Sequence, residues 1–400
     1  MYRLIPLLLS TLVAGVAIAV FFTCTFWYIE TVFNSTTYIS ILLSSGYLAS
    51  FFVFPFFGRF IDRNSGKSSL RIIYVLGFLI GLFLLALPLK SEIQTLTLIF
   101  LANVTMVLIR GVDQVTRGVY IKRTSKERSE MLSFNRYLEI IRQSITFISG
   151  GVAFYTIQDS SIYNISILLI ISFVCALLVN MLLEKDYPEV SSQGASSKKM
   201  PSTISTGKAF FFSRENTIVL LSIAPYVSVV SLNAIYPSLT SELELSKSDY
   251  ALLSIPYGIG AILGSLTPSS SLSFNSLFLF LFSVFTGAFF IPIFLKTEIG
   301  LYITLFVIAF AHAAIRVHRN TEILTMSDKD TVGRVTSFNE MLFIVLSVGL
   351  TLVIGVVTDA LNAISAWSAV LMINLAILLL TLVFLLFKSH PTFSDKPGQE

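Results

Sequence analysis

The chain has 400 residues, of which 54% are hydrophobic and only 12% charged, with a formal net charge of +4. Water-soluble domains carry about 25% charged residues, so this composition, with a mean hydropathy of +0.82, excludes a soluble globular fold and places the chain in a bilayer. Two cysteines within apolar runs and three scattered histidines exclude a disulfide framework and a His/Cys metal cage, so no cofactor is expected.

Apolar windows long enough to cross a hydrocarbon core recur twelve times. They fall at residues 4–29, 38–57, 72–89, 95–120, 132–157 and 162–183, then at 217–239, 250–267, 272–295, 299–324, 335–357 and 363–387. The first run is too long for the apolar part of a cleaved signal peptide and reads as a span. With the N-terminus inside, Lys90, Lys247 and Lys296 are the basic residues of the external loops. The internal segments collect Arg59, Arg63, Lys67, Arg71, Lys122, Arg123, Lys126 and Arg128, among others. This positive-inside bias puts both termini in the cytoplasm, in a multi-pass protein of the inner (plasma) membrane.

Residues 184–214 form the one polar break, and its Ser-rich stretch 191–199 reads as a flexible tether. The expected division is an N-terminal six-helix bundle (1–183), a cytoplasmic linker (184–214), a C-terminal six-helix bundle (215–388) and a cytoplasmic tail (389–400). A short repeat supports it. Ser133, Phe134 and Asn135 open the fifth span as Ser337, Phe338 and Asn339 open the eleventh, and Tyr38, Gly46 and Ala49 match Tyr250, Gly258 and Ala261. The expected fold class is an all-α polytopic membrane protein with two pseudo-symmetric halves.

Between the second and third runs lies a charged elbow, Gly58-Arg59-Phe60-Ile61-Asp62-Arg63-Asn64-Ser65-Gly66-Lys67. Asp62 follows Gly58 by one helical turn. The glycine permits close helix approach, and the carboxylate can then reach the N-terminus of a neighbouring helix, where unpaired amides favour an anion. A plain cytoplasmic turn of polar residues is the alternative. The corresponding stretch of the second half, Thr267-Pro268-Ser269-Ser270-Ser271-Leu272, has neither acid nor base. The spacing Gly-x-x-x-Asp-Arg-x-x-Gly-Lys resembles the loop-2/3 signature of the major facilitator superfamily (MFS). That resemblance implies twelve transmembrane helices in two six-helix bundles and transport by alternating access. It also implies a cytoplasmic gate made of Gly58, Asp62, Arg63, Gly66 and Lys67. In that gate Asp62 meets the eleventh helix near residues 334–337, and Arg63 and Lys67 pair with acids on adjoining helix ends.

Ionisable side chains at membrane depth are costly and mark functional sites. Arg110, Asp113 and Arg117 share one face of the fourth span, His312, Arg316 and Arg319 one face of the tenth, and Arg136, Glu139 and Arg142 step along the fifth. The MFS resemblance lines the cavity with the first, fourth, seventh and tenth helices. It thereby sets Arg110 and Arg316 on opposite walls, with Arg142 near mid-bilayer and Asn233 and Tyr236 as hydrogen-bonding groups of the seventh span. Arg110 with Gln114 is similar to the fourth-helix arginine of drug/proton antiporters, whereas Ser149-Gly150-Gly151 lacks the proline of that subfamily's fifth helix. Asn135 and Gln143 resemble the macrolide- and siderophore-efflux branch. Arg110, Arg117, Arg136, Arg142, Arg316 and Arg319 outnumber Asp113, Glu139, Glu322 and Glu340, and a cavity of that sign attracts an anion. Pairing of these charges as structural ion pairs is the competing interpretation. Asp113, Glu139 and Glu340 are the carboxylates available for proton coupling. Gly258, Gly260 and Gly264 follow no strand and precede no Walker lysine, so they read as packing glycines and ATP is not the energy source. The expectation is a monomeric secondary active transporter, not an enzyme and not a nucleic-acid binder. It is powered by the proton gradient and exports a small polar or anionic organic molecule, siderophore- or drug-like, by antiport. Proton-coupled uptake, and a non-transport sensor or scramblase, are the alternatives.

Overall fold

The computed structural model describes residues 5–33, 36–86, 92–125, 127–158, 162–184, 186, 202–213, 216–244, 253–268 and 273–389. The first half comprises α1 (Ile5–Phe33), α2 (Thr36–Arg63), α3 (Gly66–Ala86), α4 (Glu92–Thr124), α5 (Arg128–Gln158) and α6 (Ile162–Met181). A short α7 (Thr203–Phe211) follows. The second half comprises α8 (Thr217–Leu221), α9 (Ala224–Glu242), α10 (Ser254–Ser265), α11 (Phe274–Ala288), α12 (Ile291–Phe294), α13 (Glu298–Met326), α14 (Val332–Ala360) and α15 (Ala363–Ser389). Among the described residues there is no strand.

Ten of the twelve expected spans are helices long and apolar enough to cross a membrane. The fifth is α5, which has the length, 31 residues, but carries the charges of the site. The eighth is represented by the 12 residues of α10; residues 245–252 ahead of it lie outside the described residues, as do the tether at 191–199 and the tail from 390. Two spans expected to be continuous are broken by proline, which lacks an amide donor and clashes with the preceding turn. Pro225 separates α8 from α9, and Pro292 accompanies the break between α11 and α12. Pro55, in contrast, is carried inside α2.

The two halves pack by one pattern. In the first, α1 packs on α5 and α6, α2 on α4, and α3 on α4 and α6. In the second, α9 packs on α14 and α15, α10 on α13, and α11 on α13 and α15. Between the halves α2 runs against α14 and α5 against α10, two contacts exchanged by the same pseudo-symmetry. Gly260 and Gly264 are the packing glycines expected. A Cβ there would stand 2.2 and 2.0 Å from the carbonyl oxygens of Phe306 and Phe310 on α13, so only glycine lets α10 lie this close. Within the second half Phe278, Phe282, Phe285 and Phe289 form a ladder one turn apart, ending on Trp367, whose Nε1 donates to the Phe289 carbonyl at 3.0 Å. Facing outward are large apolar side chains such as Phe52, Phe56, Phe294 and Phe387, with Phe56 74% exposed. Such a surface suits lipid, not water.

Candidate functional site

The elbow joins four helix ends. Asp62, at the last turn of α2, is buried; its Oδ1 accepts from the Gly333 amide at 2.8 Å and its Oδ2 from Arg334 Nε at 2.9 Å. Gly333 is the second residue of α14, so a carboxylate meets the positive end of a helix and its unpaired amides. Gly58 makes the approach feasible, since a Cβ there would lie 2.8 Å from Ser337 Oγ and 3.0 Å from the Gly333 carbonyl. The rest of the elbow departs from expectation. Lys67 does not meet an acid: its Nζ donates to the carbonyls of Met181, at 2.8 Å, and Leu183, capping the end of α6. The amides of Gly66 and Lys67 open α3 and are held by Asp186 at 2.8 and 3.2 Å. Arg123 closes the end of α2 by donating to the carbonyls of Ile61, Asp62 and Asn64. Arg63 is exposed. Asp186 and Arg123, both from outside the elbow, are therefore the residues that stitch it. They are adjacent to it in space and 60 or more residues away in sequence.

Further clasps cross between the halves at this end. Arg128 pairs with Glu322, Asn135 Nδ2 donates to Thr321 Oγ1 at 3.0 Å, and Arg136 donates to the carbonyl of Thr267, where the second half lacks its own elbow. The linker contributes too. Its described part is not a plain tether, because α7 lays Phe211 in a stack on Phe338 of α14 and Thr203 Oγ1 donates to the Pro55 carbonyl of α2 at 2.7 Å. Gly207 is required there, as a Cβ would fall 2.0 Å from the Phe338 ring.

Deeper in, a polar cluster lies between the halves. Glu139 of α5, 1% exposed, accepts from Arg316 of α13 at 2.7 Å through Nε and again through the guanidinium end. Gln143 Nε2 donates to its other oxygen at 2.7 Å, and Arg142 stands 3.7 Å away. At about 1.5 Å per residue, Glu139 is about 17 Å along α5 from Arg128 and Arg316 about 15 Å from the end of α13, half the depth of a hydrocarbon core. A second carboxylate, Glu340 of α14, accepts from Gln114 of α4 at 2.7 Å and from Asn339 at 3.3 Å. Arg319 reaches Asn339 Oδ1 and the Val219 carbonyl. That carbonyl is available because of the break before Pro225: the Ile223 amide bonds to Leu220 instead. Irregular backbone at membrane depth is tolerated where it lines a cavity in this way. Tyr226, next to the proline, stacks between Phe343 and His312, and Arg316 lies over its ring at 5.6 Å. Two narrow clefts run through the cluster, with room for no more than a few water molecules.

Of the residues expected to form the site, Glu139, Arg142, Arg316 and Glu340 come together here. Arg110 is exposed on α4, with no hydrogen bond or ion pair among the described residues. Asp113 is elsewhere: both its oxygens are taken by Arg117 at 2.6 Å. Arg117 is saturated in turn by Tyr74, Thr11 and the Leu7 carbonyl. This is an ion pair internal to the first half, holding α1, α3 and α4 together. Asn233 is exposed and Tyr236 packs its ring on the apolar core of the second half; neither lines the clefts. Tyr226, Asn339 and Tyr257 escaped the sequence reading. Pro225, immediately before Tyr226 within an apolar run, was the signal for the first of them.

The sequence matches the family model described as Major Facilitator Superfamily over residues 7–343. No protein of curated function matches it. Among solved structures, the human organic anion transporter MFSD10 (TETRAN) is similar with a TM-score of 0.74 at 10% identity, over 95% of this chain and 99% of that one. The transporter FucP in its outward conformation gives 0.69 at 15% identity, over 98% and 100%. A bacterial homologue of the iron transporter ferroportin, outward-facing, gives 0.65 at 15% identity, over 96% and 100%. At such identities the likeness speaks for the fold, two matched six-helix bundles around a central polar site. With the family match spanning most of its length, the chain belongs to the major facilitator superfamily and is a secondary transporter, not an enzyme.

Proposed function

We propose that this transporter carries a small organic anion together with a proton, in a plasma (inner) membrane with both termini cytoplasmic. The observation that carries the reading is the Glu139–Arg316 pair, a buried link between the two halves in a cluster with surplus positive charge. Arg142, Arg316 and Arg319 stand against Glu139 and Glu340, three guanidiniums to two carboxylates, and Arg110 adds a further cation on α4. A substrate carboxylate is the natural competitor of Glu139 for Arg316. When it binds, the displaced Glu139 is left buried without its partner and takes up a proton. By linkage, a proton on Glu139 equally releases Arg316 for the anion. Proton and anion therefore favour each other's binding, which is the logic of co-transport. Antiport, expected from the sequence, needs them to exclude each other. For this reason uptake is preferred here over export. The closed elbow end supplies the gate: Asp62 on Arg334 and Gly333, with Arg128 on Glu322, must part for the site to open to that side.

The test is flux in proteoliposomes under an imposed pH gradient, with a panel of radiolabelled small organic anions. Acid outside should drive accumulation of at least one of them. Acid-driven efflux would instead establish antiport, and no gradient-dependent flux for any anion would remove the reading.

A further inference from the structure

His312 lies at the centre of the cluster and is 2% exposed. Its Nδ1 is 3.4 Å from the Tyr257 hydroxyl, while its Nε2 has no hydrogen-bond partner among the described residues. Tyr257 does not line the cleft, whereas His312 does, beside Arg316 and Tyr226. The partnered edge of the imidazole thus faces α10 and the orphaned edge is left to the cleft. A tyrosine hydroxyl donating to Nδ1 leaves the proton on Nε2, so the free edge is an N–H donor. The ring is held rigidly: it is stacked on Tyr226 at 5.8 Å and 17°, and Tyr226 is itself stacked on Phe343 at 4.1 Å. A buried donor that is fixed in place and unpaired calls for an explanation. A ligand atom arriving in the cleft supplies one.

We infer that His312 is a specificity-determining residue, whose Nε2–H donates to an oxygen of the substrate adjacent to the carboxylate held at Arg316. The inference rests on the anion reading above and narrows it to a hydroxycarboxylate. A site built to hydrogen-bond a hydroxyl rejects the analogue lacking it, because the site's own donor is then stranded. A deoxy analogue would still find Arg316 but would leave Nε2–H unpaired.

The experiment compares kcat/KM in proteoliposomes for three pairs that differ by one hydroxyl: malate and succinate, citrate and tricarballylate, lactate and propionate. At least one hydroxylated member should exceed its partner by about tenfold in the wild type, the scale of one stranded buried donor. His312→Phe keeps the aromatic stack but removes the donor, and should bring that ratio close to one by slowing the hydroxylated member alone. His312→Gln, which restores an N–H at similar reach, should recover the preference. A transported pair with a wild-type ratio near one overturns the inference, and this holds even if His312→Phe fails to insert. A preference that survives in His312→Phe overturns it as well. In both cases the anion reading stands. If no member of any pair is transported, the anion reading falls and this inference with it.

Discussion

Replacing Asp62 by Asn tests the gate at the elbow end. The side chain keeps its shape and one oxygen for the Gly333 amide, but it loses its charge and turns an amide donor toward Arg334. In the closed state Asp62 and Arg334 are 3% and 4% exposed at the side chain and 2.9 Å apart, so solvent screens little of the interaction. A hydrogen bond between ionised groups is worth about 1.5–3 kcal/mol, and the carboxylate at the start of α14 adds about 0.3–1 kcal/mol from the helix dipole. The closed state should therefore lose about 2–4 kcal/mol relative to the open one, a shift of about 30- to 1,000-fold in that equilibrium. Asn320, which lines both inner clefts, is a suitable reporter as Asn320→Cys in a background with Cys24 and Cys175 replaced by Ser. A membrane-impermeant maleimide applied from the elbow side should label it at least about tenfold faster with Asp62→Asn than without. Arg334→Gln should act alike, and the double variant should add little to either alone, since the two residues share one interaction. An unchanged labelling rate in Asp62→Asn would refute the idea that this bond holds the gate.

Other consequences are more local. Glu139→Gln removes the charge that pairs with Arg316 while keeping the shape; it should abolish accumulation driven by the pH gradient yet leave downhill exchange, and a full gradient response in this variant would take coupling away from Glu139. Asp113→Asn strands the buried Arg117 and should cost about 3–5 kcal/mol of stability. Arg110→Ala, in contrast, should stay within about 0.5 kcal/mol, and thermal unfolding in detergent that ranked the two alike would contradict the structural role of the first. Gly207→Val drives a side chain into Phe338 and should lift α7 from α14; faster tryptic cleavage at the exposed Lys208 is the expected result, and unchanged cleavage would mean that α7 does not brace the halves.

Much of the architecture was legible because a bilayer imposes simple rules on sequence. Windows of apolar residues marked the helices, and Gly58 with Asp62 marked a close helix contact that α14 provides. Less visible were interactions fixed only once helices lie side by side. Glu139 and Arg316 are 177 residues apart, and nothing local distinguishes Glu139 from Asp113, whose partner is one turn away on its own helix. The spacing of Asp113 and Arg117 was in fact the i, i+4 pattern of a self-contained pair. Lys67 offered a positive charge, which a helix C-terminus satisfies as well as an acid does, and the sequence has no means of choosing between them. The breaks at Pro225 and Pro292 were obscured because hydropathy continues smoothly through both.

The central claim is that the site between the halves selects an anion through Arg316. It is tested most directly by comparing initial transport rates of malate and its uncharged diamide in the same proteoliposomes, for the wild type and Arg316→Gln. A charge-assisted contact in a desolvated site is worth about 3 kcal/mol, so the wild type should move the anion about 100-fold faster than the diamide, and Arg316→Gln should erase that advantage with membrane insertion intact. Equal rates for the two compounds in the wild type, or an anion preference that persists in Arg316→Gln, would contradict the account.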